Sequence, residues 1–146
     1  MFYFSVVCLS VVRTLPVNEK SEKISTVTLS MGGKWIVFDR LATDYKNRSN
    51  SPIIIYDAEN DKSDELMMEG YDFCSPDLDG DRLSFCRIHF VEKKGAVSEI
   101  VIYNLTDKTY NVLSVTQCGY QPGLHGDFLV FKEAESLFHY GQINRK

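Results

Sequence analysis

The chain has 146 residues, the size of one domain, and a chain this long buries roughly 70% of its unfolded surface if it closes on itself. Its 44% hydrophobic and 25% charged residues are ordinary for a globular protein, which sets aside fibrous and disordered classes. A net charge of −4 with interspersed signs leaves no basic footprint, so nucleic-acid binding has no electrostatic support.

In chain order, the first segment is the apolar run Phe2–Val12. It has the length of a signal-peptide core, but no Lys or Arg precedes it and no small-x-small cleavage pattern follows. A bilayer needs about 20 apolar residues, so the run does not span one. A buried strand is the preferred reading, with a signal peptide as the alternative. Beyond it come short runs rich in β-branched and aromatic residues, separated by turn-forming clusters. They predict strands at Lys23–Leu29, Trp35–Phe38, Ile53–Tyr56, Glu65–Met68, Tyr71–Cys74, Leu83–Phe85, Ile100–Tyr103, Tyr110–Ser114 and Phe128–Phe131. A last strand is expected in the segment Glu135–Tyr140. No useful window has helical periodicity, so the expected class is all-β.

The chain repeats. "GGKWIVF" at Gly32, "DGDRLSF" at Asp79 and "HGDFLVF" at His125 share a glycine, a short spacer, apolar residues and Phe. Gly33 and Gly80 are 47 residues apart, and Gly80 and Gly126 are 46 apart. A second element keeps the same phase: "IIIYDAENDK" at Ile53 and "IVIYNLTDK" at Ile100. Four antiparallel strands in each 46–47-residue unit is the arithmetic of a β-propeller blade. The expected division is a partial blade at 1–20, blades at 21–68 and 69–115, and a partial blade at 116–146. In this phase Val6–Leu9 is the third strand of the first, partial unit. Closed propellers have about 4–8 blades. The expectation is therefore an incomplete ring: part of a larger propeller, or a ring closed by oligomerisation or by a partner.

The stretch from Tyr71 to Phe131 resembles the repeats of TolB-like β-propellers. Ser75, Pro76, Asp77, Gly80 and Phe85 carry the Ser-Pro-Asp-Gly part of the pattern, and Ile102, Tyr103, Asn104 and Leu105 carry the strand and turn that follow. The first unit has no Ser-Pro-Asp, and the third reads "QPGLHGD" without an acid before its glycine. The resemblance implies a propeller of the cell envelope or cell surface that binds protein; a cytoplasmic location is the alternative.

Asp77, Asp79 and Asp81 in "SPDLDGDRLSF" are the candidate site. Alternating carboxylates suit calcium, which takes 6–8 oxygen ligands. The EF-hand spacing is not met, because the twelfth position from Asp77 is Ile88. The other reading is geometric: Asp-Gly makes the turn and the Asp side chains bond nearby amides. The other units keep the glycine and lose most of the acids, which favours that reading.

His89, His125 and His139 are scattered, His89 beside a long variable loop and His125 in the place of Asp79. Cys8, Cys74, Cys86 and Cys118 show no zinc-site spacing and read as buried thiols, or as disulfides if the protein is exported. The sequons at Asn47 and Asn104 matter only in that same case. Tyr71 and Tyr120 precede the glycine turns of successive units and suggest a repeated packing role, or a ligand platform. No catalytic or phosphate-binding motif occurs. The expected function is a non-enzymatic binding or scaffold module without cofactor, working through a protein partner or self-association. The alternative is the propeller part of an enzyme, gating substrate or using Asp and His groups in its channel.

Overall fold

The computed structural model describes residues 3–8, 11–16, 29–39, 51–93, 95–116, 120–132 and 139–142. These residues are all-β and form four antiparallel sheets in which strands pair in chain order. β1 (Tyr3–Cys8) and β2 (Val11–Pro16) form a hairpin. β3 (Leu29–Gly32), β4 (Trp35–Asp39), β5 (Ile53–Asp57) and β6 (Lys62–Leu66) form the first four-stranded sheet. β7 (Asp72–Asp79), β8 (Arg82–Val91), β9 (Gly95–Asn104) and β10 (Tyr110–Thr116) form the second. β11 (Tyr120–His125), β12 (Phe128–Lys132) and β13 (His139–Gln142) form a three-stranded sheet.

The repeat in sequence is a repeat in local conformation. Gly33, Gly80 and Gly126 each turn the first strand of a sheet into its second with φ of 58, 60 and 56°, a left-handed geometry that glycine adopts without strain. The turns after the third strands match as well. Asp57 Oδ1 accepts the amides of Glu59 and Asn60 at 3.0 and 3.1 Å, and Asn104 Oδ1 accepts those of Thr106 and Asp107 at 2.8 and 3.2 Å. Both are Asx turns, in which the side chain replaces a backbone acceptor.

Several strands differ from the sequence expectation, among them β9, which begins at Gly95 rather than Ile100, and β11 (Tyr120–His125), which the sequence reading does not include. The fourth strand of the first sheet is Lys62–Leu66, set by the pairing of Asp57 with Lys62 across the turn. Its first four residues are exposed, so an outermost strand gives no apolar signal. β7 runs through Asp79 because a bulge between Cys74 and Asp77 absorbs Ser75 and Pro76; Asp77 and Asp79 therefore lie in a strand and only Asp81 in the turn. β8 continues to Val91, so His89 is a strand residue paired with Val97 and not beside a long loop. The expected strand at Lys23–Leu29 lies outside the described residues except for Leu29.

Side chains alternate between two seams. Val37, Ile53 and Ile55 of the first sheet meet Phe73, Leu78, Leu83, Phe85 and Val101 of the second. On its other face the second sheet offers Cys74, Cys86, Ile100 and Ile102 to Leu124 and Leu129 of the third. Phe73, Ile53, Leu83 and Ile100 are fully buried, and each such side chain contributes about 1.5–3 kcal/mol of apolar transfer. Both faces of the second sheet are thus covered, and the polar side chains that cross its seams define the candidate site.

Candidate functional site

Each seam is closed by three polar positions at matching places in the repeat. At the first strand, the Ser30 hydroxyl donates to Asp77 Oδ1 at 2.9 Å and accepts the Leu78 amide at 3.0 Å. One unit later, Asp77 Oδ2 accepts the Leu124 amide at 2.7 Å. At the start of the second strand, Trp35 Nε1 donates to Asp81 Oδ1 at 2.9 Å, and its counterpart Arg82 donates to the Gly126 carbonyl. At the end of that strand, Asp39 Oδ2 accepts the Ser75 amide at 2.8 Å, and its counterpart Cys86 accepts the Gln121 amide on sulfur. Ser75 and Gln121 hold φ of 55 and 57°. This left-handed backbone at a strand irregularity turns the N–H out of its own ladder, and the preceding sheet supplies the acceptor.

The three aspartates therefore divide their work. Asp77 bridges the first, second and third sheets through two oxygens. Asp79 accepts the Gly126 amide at 2.8 Å and pairs with Arg82 in its own hairpin. Asp81 holds Trp35 and, at 3.2 Å, the hydroxyl of Thr106. All three are occupied by donors from different elements, and no group of three or more metal-ligating side chains gathers among the described residues. Their arrangement does the work of a tie between sheets: it satisfies backbone amides that the left-handed turns and bulges would otherwise leave without acceptors.

The third sheet carries other residues at these positions. Gly123 stands where Ser30 and Asp77 do, Phe128 where Trp35 and Arg82 do, and Lys132 where Asp39 and Cys86 do. Phe128 and Val130 are 53% and 41% exposed, whereas Val37 and Ser84, the counterparts of Val130, are completely buried.

A second cluster lies at the far end of the second sheet. Arg87 is buried, pairs with Glu99, and lies over the Tyr71 ring at 4.8 Å and the Tyr110 ring at 5.7 Å. Tyr71 also meets the His89 ring at 4.8 Å, and among the described buried side-chain nitrogens and oxygens His89 Nδ1 lacks a hydrogen-bond partner. His125 is exposed at the end of β11 and His139 opens β13, so the described contacts join neither to His89. Tyr120 opens β11, and its register partner is Lys132. Asn104 sits in its Asx turn, and Asn47 and Cys118 lie outside the described residues.

The sequence singles out the aspartates but not Ser30, Trp35 or Asp39, and marks Cys86 only as a thiol; these residues complete the ties. The available signal was position. Ser30, Trp35 and Asp39 precede Asp77, Arg82 and Cys86 by one 47-residue period.

Comparison with solved structures agrees with this architecture. The β-propeller domain of the Trilobed protease of Pyrococcus furiosus, described as having an open velcro topology, matches with a TM-score of 0.54 at 17% identity over 75% of this chain. The acylaminoacyl peptidase of Pyrococcus horikoshii matches with a TM-score of 0.54 at 13% identity, again over 75% of this chain. The fold is thus of the β-propeller type, and its sheets are blades. The chain spans 34% of the first of those chains and 18% of the second. No family model matches the sequence, and no curated protein matches it either.

Proposed function

We propose that this chain is a non-enzymatic protein-contact module, a set of propeller blades of TolB-like character that docks through the outward face of its third blade. One observation carries the reading. Phe128 and Val130 are exposed at register positions whose counterparts in the two preceding blades are packed against the next blade. An exposed apolar pair on a face that is packed in the preceding blades supports a docking surface there. Its partner is another blade-like sheet, either in a second copy or elsewhere in a larger assembly. The acids at the seams support the same reading, since their oxygens are committed to amides and side chains that hold blades together.

Light scattering on the purified chain tests this. The expected result is a mass above that of the monomer, returning to the monomer when Phe128→Glu and Val130→Glu are introduced together. A wild-type monomer with cooperative unfolding at every concentration overturns self-association.

The structural likeness to peptidase propellers favours a second reading, a propeller segment that accompanies a peptidase and controls access to it. A binding assay with unfolded peptides separates the two, because a gating propeller takes up peptide in its channel and a docking face does not.

A further inference from the structure

Cys74 and Cys86 are directly opposed partners on β7 and β8. They are 8% and 0% exposed and share one core cluster. The Phe73 amide leaves its own sheet for the Ser51 carbonyl at 3.0 Å. Strand alternation then points the Cys74 backbone groups at β8, making Cys74 and Cys86 a hydrogen-bonded pair. Such pairs hold their Cα atoms about 5.5 Å apart, inside the roughly 4.4–6.8 Å span of disulfides. The two side chains leave the same face of the sheet, and their thiols are already hydrogen-bonded to each other. Both are reduced in this structure.

We propose that Cys74 and Cys86 form a redox-modification site, a cross-strand disulfide produced by exchange with a low-molecular-weight disulfide. Cys74 is the more exposed of the two residues. The bond from Cys86 holds the Cys74 thiol below its ordinary pKa against the opposing effect of burial, while that bond and burial push Cys86 up. The attacking group is therefore the Cys74 thiolate. Its sulfur bonds to one sulfur of oxidised glutathione and expels one glutathione thiolate. Cys86 then gives up its proton, attacks Cys74 Sγ and expels the second glutathione. Two protein thiols are oxidised to one disulfide and one glutathione disulfide is reduced to two thiols, so the electrons balance.

The site also touches the blade seam. Cys86 occupies the place that Asp39 holds in the first seam and accepts the Gln121 amide. Drawing its sulfur onto Cys74 takes that acceptor away from Gln121. Oxidation is thus coupled to the contact between the second and third blades.

The experiment uses the full chain carrying Cys8→Ser and Cys118→Ser, incubated with oxidised glutathione. The expected product is lighter by about 2 Da with no adduct, and peptide mapping places the bridge at Cys74–Cys86. In that background Cys86→Ser accumulates one glutathione on Cys74, and Cys74→Ser stays unmodified. The Gln121 amide exchanges faster in the oxidised protein. An unreacted native chain, a doubly glutathionylated product or adducts on Cys86 alone would overturn the proposal. Unchanged exchange at Gln121 overturns its coupling to the seam.

Discussion

Ser30 and Asp77 stand 47 residues apart, and the Ser30 hydroxyl donates to Asp77 Oδ1 at 2.9 Å. The same interval separates Asp77 from Leu124, whose amide it accepts at 2.7 Å. The sequence period thus reappears as a hydrogen-bonding period, with Asp77 as acceptor in both seams.

Asp39 is the acceptor for the left-handed Ser75 amide and is 2% exposed. Replacing it with Ala leaves a part-buried N–H without this acceptor, at a cost of about 1 kcal/mol. Urea unfolding of Asp39→Ala is expected to show this loss. Asp39→Cys, which copies the second seam, recovers part of it. A loss below about 0.5 kcal/mol for the Ala variant removes Asp39 from the seam.

Asp57 gives a pH signature. The Asn60 side chain and amide, Lys34 and the Glu59 amide together hold its carboxyl at about 2, below the usual 3.8. A carboxylate with a lowered folded-state pKa stabilises the protein above its unfolded pKa, and that contribution fades as pH falls through the folded value. Stability is expected to decline between about pH 4 and pH 2. Asp57→Asn, the residue found at the equivalent Asn104, flattens this decline. An unchanged acid limb in that variant contradicts the assignment.

Calcium offers a direct check on the aspartate trio. Binding at Asp77, Asp79 and Asp81 has to displace donors from Ser30, Leu124, Gly126 and Trp35. The expected result is an unchanged melting temperature in millimolar calcium. A ligand held at 100 times its Kd adds about 2.7 kcal/mol. A rise of that order, lost in Asp77→Asn, identifies a metal site instead.

Most of the fold was legible because glycine turns and apolar runs repeat at one period. Gly33, Gly80 and Gly126 share one left-handed geometry, and geometry of that kind leaves the same residue each time. The polar ties were harder to see because different residue types satisfy the same amide. Asp39 and Cys86 both accept a left-handed N–H, yet no substitution table pairs a carboxylate with a thiol. β6 is displaced for another reason: the sequence places this strand at Glu65–Met68, but the first four residues of Lys62–Leu66 face solvent, so no apolar alternation marks where the strand begins. The sequence places Asp77 and Asp79 in a turn because the bulge at Ser75 and Pro76, which extends β7 through Asp79, has no marker in a single sequence.

The central claim is that the carboxylates of "SPDLDGD" exist to tie blades together, and a double-mutant cycle on Ser30 and Asp77 tests it most directly. Ser30→Ala, Asp77→Asn and the double variant are compared by equilibrium unfolding. The predicted coupling is about 1 kcal/mol or more, as for residues sharing one hydrogen bond. Additivity within about 0.3 kcal/mol would contradict it.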